Sequence, residues 1–156
     1  MLNQVEYGIS GYYDTGFDST NLCERRIITL LIKFVNNQEE TTYIPICYWK
    51  STQICSRLLL YYQNHEIRTF ISKPNTFNRG VINAKDTTCL RMILYGSYMR
   101  NAGIPENIEM SQLLPRLSLK YELCEKDSVY SNYPLPKKIQ FVSNDSVLSI
   151  NPKIKQ

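Results

Sequence analysis

The chain has 156 residues, of which 43% are hydrophobic, and a net charge of +4. That fits one domain burying roughly 70% of its unfolded surface, with no need of a disulfide, a metal or a cofactor to fold. The five cysteines (Cys23, Cys47, Cys55, Cys89, Cys124) are odd in number and form no C-x-x-C pair, which argues against a secreted disulfide framework and a zinc site and favours reduced, buried thiols in an intracellular protein.

Met1–Thr20 is polar and has no sustained period, so it reads as a mobile arm. Its Tyr7, Tyr12 and Tyr13 are candidates to dock onto another molecule. The domain proper is expected over 21–156. Arg26–Val35 is a strand, with Ile28, Leu30, Ile32 and Phe34 on one face by alternation. Asn36–Glu40 is a polar turn, and Thr42–Trp49 is the returning strand, at an edge or bulged because Pro45 has no N–H to donate. Ser51 reads as the N-cap of a helix over Thr52–Asn64 whose apolar stripe is Cys55, Leu58, Leu59 and Tyr62. Ile67–Ser72 is a short strand and Lys73–Ala84 a polar loop.

Asp86 reads as the N-cap of a second helix, Thr87–Arg100, with Leu90, Ile93, Leu94 and Ser97 along one face. A loop carrying Ile104, Pro105 and Ile108 follows. Leu117–Leu123 alternates as a strand, Asp127–Pro136 is a loop, and 139–142 with 147–150 form a terminal hairpin. The fold class is α+β: one domain, a twisted antiparallel sheet packed against two helices. Its expected core is Leu30, Ile32, Leu58, Leu59, Tyr62, Leu90, Ile93, Leu94, Leu119 and Tyr121.

No phosphate loop, dinucleotide fingerprint, nucleophile elbow or H-E-x-x-H zinc sequence occurs. His65 is the chain's one histidine and reads as a dipole partner at a helix C-terminus. Glu39 and Glu40 sit in a turn where water solvates them. An enzyme is therefore not expected, and catalytic, metal and cofactor residues are read as none. Binding has better support. Residues 1–49 carry −3 and residues 50–100 carry +6, a polarity that suits an anionic partner and head-to-tail self-contact. Lys50, Lys73, Arg79, Lys85, Lys137 and Lys138 are the cations expected to meet it. Tyr61, Tyr62, Arg68, Phe70, Lys73, Phe77 and Arg79 interleave rings with cations, as a base-stacking surface would. Ile104 and Ile108 are candidates for shallow insertion into a membrane surface.

The order of elements resembles the matrix proteins of rhabdoviruses and related non-segmented negative-strand RNA viruses. The resemblance lies in ITLLIKFV with its polar turn, in LRMILYGSYMRNAGIPE, and in the strand LSLKYE. It is best over Leu90–Leu123, and Ile28–Trp49 looks like the strand–turn–strand opening of a bornavirus-like matrix domain. The chain lacks the lysine-rich N-terminus and P-P-x-Y sequence usual in the animal viruses, so a shorter, plant-infecting type fits better. The resemblance implies a non-enzymatic structural protein of the virion. It would self-assemble into an open lattice and bridge the nucleocapsid and its RNA to an anionic membrane during budding, in the host cytoplasm, at the inner membrane face or in the nucleus. The alternative is an OB-fold subunit of a single-stranded DNA-binding or telomere complex, with Ile28–Trp49 as its first barrel strands.

Overall fold

In the computed structural model the described residues are 3–16, 26–48, 53–72 and 79–142. They form ten strands: β1 (Val5–Asp14), β2 (Ile27–Asn36), β3 (Thr42–Tyr43), β4 (Arg57–Tyr62), β5 (His65–Ile67), β6 (Phe70–Ser72), β7 (Val81–Ile82), β8 (Thr87–Tyr95), β9 (Leu117–Glu122) and β10 (Ile139–Phe141). The helices are short: α1 (Gly96–Asn101), α2 (Met110–Leu113), and 3-10 turns at Leu114–Arg116 and Glu125–Tyr130. One sheet has the order β10-β1-β2-β8-β6, a second has β5-β4-β9, and β3 pairs with β7. The fold is a single α+β domain, mostly sheet.

The strand over 26–35 stands as expected. Ile28, Leu30, Ile32 and Phe34 are fully buried, while the residues between them are half-exposed. Its neighbours are not. β2 pairs with β1 on one side and β8 on the other. The expected mobile arm is thus, over Val5–Asp14, a strand inside the sheet, with Val5, Tyr7 and Ile9 buried. Its glycines obscured the alternation, and a register shift between Ile9 and Gly11 broke the period.

The expected helix at 87–100 is a strand as far as Tyr95. Thr88, Leu90, Met92 and Leu94 are buried at period two while Thr87, Cys89 and Arg91 are exposed. The stripe Leu90–Ile93–Leu94 also satisfies a helical period. Pairing on both sides, to β2 and β6, decides for the strand, and Ile93 falls on the outer face, half-buried. Only Gly96–Asn101 is helical. The expected helix at 52–64 is likewise a strand over Arg57–Tyr62, paired to β5 and β9. Gln63 and Asn64 both have positive φ, 48° and 74°, which is the twist a two-residue hairpin turn needs. Three successive leucines fit either period, so the tertiary pairing settled the segment.

After β2 the chain does not return as a hairpin partner. Only Thr42 and Tyr43 are in a strand, paired to β7. The backbone beyond is held singly, Ile44 N–H to the Gly80 carbonyl at 2.8 Å and Cys47 N–H to the Ser56 carbonyl at 2.8 Å. Gly80 has φ +91° and presses on the Ile44 carbonyl, leaving no room for a Cβ. Of the expected terminal hairpin, Ile139–Phe141 pairs parallel to β1; residues 147–150 lie outside the described residues.

The two larger sheets face each other across one apolar core. Val5, Tyr7 and Ile9, the buried rows of β2 and β8, and Leu58, Leu60, Tyr62, Leu117, Leu119 and Tyr121 belong to a single cluster. The Tyr7 ring stacks on Phe34 and meets Tyr121 edge-on, and its phenol oxygen accepts the Tyr121 N–H at 2.8 Å. Neither sheet closes into a barrel, which removes the architecture that the OB-fold alternative requires.

Candidate functional site

Where β4 begins, the chain turns apolar sequence into a polar knot. Asp127, in the 3-10 turn after β9, is fully buried. Its carboxylate accepts the Cys55 N–H at 3.1 Å and the Ser56 N–H at 2.7 Å, together with the Ser56 hydroxyl. The Ser56 oxygen in turn accepts the Cys124 N–H at 2.8 Å. A buried carboxylate needs such donors, because leaving it unpartnered costs several kcal/mol. Beside it Cys55 and Cys124 are joined by a disulfide, with Cα atoms 5.7 Å apart. This corrects the expectation of reduced thiols throughout. The β4/β9 ladder pairs Arg57 with Glu122, and the same register carried two residues outward sets Cys55 opposite Cys124. Cys47 and Cys89 take no part in that bridge.

The surroundings of the knot are rich in phenols. Burial pushes the Tyr121 hydroxyl well above the ordinary tyrosine range, with the nearby Asp127 charge adding to it, and burial does the same to Tyr48. Tyr121 donates its O–H to the Pro45 carbonyl, tying β9 to the irregular 44–48 segment.

Further along β4 a cleft of about 380 Å³ opens, lined by Cys47, Arg57, Leu59, Ile67, Phe70 and Ile71 among others. It lies where β5 and β6, the outermost strands of the two larger sheets, follow one another in the chain. Its lining mixes apolar side chains with the charged Arg57, Glu66 and Arg68. At its rim the Arg57 guanidinium reaches Glu122 at 3.1 Å, and Arg68 lies 5.1 Å from the centre of the Tyr98 ring. Hydrogen bonds from Arg57 and Lys120 hold the Glu122 carboxyl below the usual carboxylate range.

The residues singled out from sequence are scattered by the fold. Lys50 and Lys73 lie outside the described residues, as does Phe77. Arg79 and Lys138 are exposed. Lys85 and Lys137 converge on the 37–40 turn, where they meet Glu39 at 3.0 Å and Glu40 at 3.9 Å. The acids expected to be merely solvated thus pair with two of the four candidate cations that lie among the described residues. Ile104 and Ile108 are 3% and 7% exposed. They pack into the core as a cap and offer nothing to a membrane surface, so that expectation is corrected. Tyr7 is 5% exposed and Tyr12 and Tyr13 are half-buried on β1, so none of the three is a free docking residue. Tyr62 is buried and Tyr61 and Phe70 are half-buried. His65 opens β5, exposed, and ends no helix. No helix among the described residues is long and apolar enough to cross a membrane.

Sequence reasoning missed Asp127, Ser56 and the Cys55–Cys124 pair. The one local signal was the spacing Cys124-x-x-Asp127; the rest depends on pairing between segments about 70 positions apart. Comparison with protein-family models, curated proteins and solved structures finds no match to this chain.

Proposed function

We propose that this chain is a non-enzymatic assembly protein that binds through the cleft beside β5 and β6. The observation that carries this is the cleft itself. Its lining of Leu59, Ile67, Phe70 and Ile71, with Arg57, Arg68 and Glu66 beside them, suits an apolar segment flanked by charged residues. Its volume falls near the lower end of the roughly 300–1,000 Å³ of ligand pockets, so a few side chains of a partner fill it. The favoured occupant is a second copy, since the first 49 residues carry −3 against +6 over the next 51, and a head-to-tail contact of that kind builds open assemblies. Asp127, the one fully buried carboxylate among the described residues, accepts hydrogen bonds from Cys55 and Ser56 and does not line the cleft.

The narrower form of the proposal is the matrix role: self-assembly in a virion layer, with contacts to a ribonucleoprotein and an anionic membrane. It rests on the family resemblance and on the net charge. Arg79 and Lys138 remain exposed for such contacts, whereas Ile104, Ile108 and Tyr7 no longer support it. Sedimentation of the full chain over a range of concentrations at two salt levels is the test. Association at low salt, weakened about tenfold or roughly 1.4 kcal/mol in Ile71→Glu, is the expected result. A chain that stays monomeric throughout removes self-assembly. Flotation with phosphatidylserine vesicles tests the membrane part, which binding indifferent to salt and lipid charge would remove.

A further inference from the structure

We propose that Cys55, Cys124 and Asp127 form a redox-gated site for a zinc-type divalent ion, closed while the cysteines are bridged and open when they are reduced. The argument begins with Asp127. It is fully buried, yet among the described residues no cationic side chain pairs with it; every partner is a neutral donor from Cys55 or Ser56. Buried charges in proteins are ordinarily paired or bound to metal. A carboxylate placed here without a counter-charge marks a place where a cation gains.

The donor set fits such an ion. The two sulfurs and a carboxylate oxygen of Asp127 all lie within 4.8 Å of one another. Cys124 and Asp127 sit on a single turn closed by Asp127 N–H to the Cys124 carbonyl at 3.0 Å, and Cys55 arrives from the segment that leads into β4. Two thiolates and a carboxylate suit zinc, at about 2.3 Å to sulfur and about 2.0–2.2 Å to oxygen. Three protein ligands leave one position for water. Ser56 fixes the carboxylate by two bonds, the kind of outer support that orients a metal ligand. Cys55 is exposed, so a reductant and an ion have a way in.

The gate is the bridge. A disulfide offers no thiolate, and its sulfur carries no proton. The 3.4 Å approach of Cys55 Sγ to Asp127 Oδ1 therefore leaves that lone pair without a hydrogen. A dithiol reductant delivers two electrons and two protons to the sulfurs, and itself closes to a cyclic disulfide. A divalent ion then displaces both thiol protons to solvent and takes the two sulfurs and Asp127 as ligands.

The test uses the full chain with Cys23, Cys47 and Cys89 changed to Ser. It is reduced with dithiothreitol, desalted without oxygen and titrated with Co²⁺. Thiolate-to-cobalt charge-transfer bands should grow to one equivalent and disappear on adding Zn²⁺. The same chain left oxidised should show none, and Asp127→Asn should weaken binding about tenfold or more. If Asp127→Asn fails to fold, Cys55→Ser, at an exposed position, serves instead and should abolish the bands. A bridge that resists dithiothreitol, a reduced chain without bands, or bands that persist in Cys55→Ser each overturns the proposal.

Discussion

Along β2 and β8 the alternate side chains Ile28, Leu30, Ile32 and Phe34, and Leu90, Met92 and Leu94, are apolar and fully buried, and the backbone ladder runs through both strands. At the outer end of β4 and β9 the buried atoms are a carboxylate, a hydroxyl and amides, fixed by bonds that each have one donor and one acceptor. The first region is held by area removed from water, which is non-directional and shared among many residues. The second is held by geometry around a single charge and one covalent bridge. The difference teaches that the ladder tolerates small shifts and loses stability in proportion to volume, whereas the knot fails when one partner is removed.

The largest effect should come from the ladder. Leu94→Ala removes a fully buried side chain and should cost about 2–5 kcal/mol in urea unfolding; a loss well below that would mean the site collapses around the smaller residue. Opening the bridge comes next. Its ends are 69 positions apart in sequence, and Cys124→Ser should lower stability by about 2–4 kcal/mol, an equal stability with and without dithiothreitol being the contrary result. A smaller loss, about 1–2 kcal/mol, is expected for Tyr7→Phe, which takes away the acceptor of the Tyr121 N–H between the two sheets.

Alkali should separate the regions in another way. Burial keeps the Tyr7, Tyr48 and Tyr121 phenols protonated above their ordinary value. Their contribution is complete below the unfolded value of about 10 and is lost as pH climbs through it toward the folded values. The urea midpoint should hold steady at about pH 7–9 and fall beyond, with a shallower fall in Tyr121→Phe. Least of all, Glu39→Gln and Glu40→Gln should each change stability by under about 1 kcal/mol, because their lysine pairs are solvent-screened.

The ladder was half legible in the sequence. ITLLIKFV alternates cleanly, and LSLKYE does the same, so β2 and β9 were read correctly. TTCLRMILY satisfies a helical stripe as well as a strand, and only its two flanking strands break the tie. β1 was hidden by Gly8, Gly11 and an irregular register, which together look like an unstructured polar segment. The knot was scarcely legible. Ser56 and Cys55 gain meaning only from residues near 124, and no local period connects them. The cations were visible as a count, but their pairing with Glu39 and Glu40 follows from a turn that brings 37–40 against 85 and 137.

The parallel pairing of β10 with β1 joins strands drawn from near opposite ends of the described sequence. During synthesis the earliest strand emerges long before the one that completes its edge. For that interval β1 has β2 to lean on and an exposed row of backbone donors and acceptors on its other side. Contacts of such long sequence separation form slowly, so completion of this edge waits on β10, the last strand among the described residues. Until Ile139–Phe141 arrives, the same edge is open to a β10 from a neighbouring chain, the geometry from which strand swapping starts.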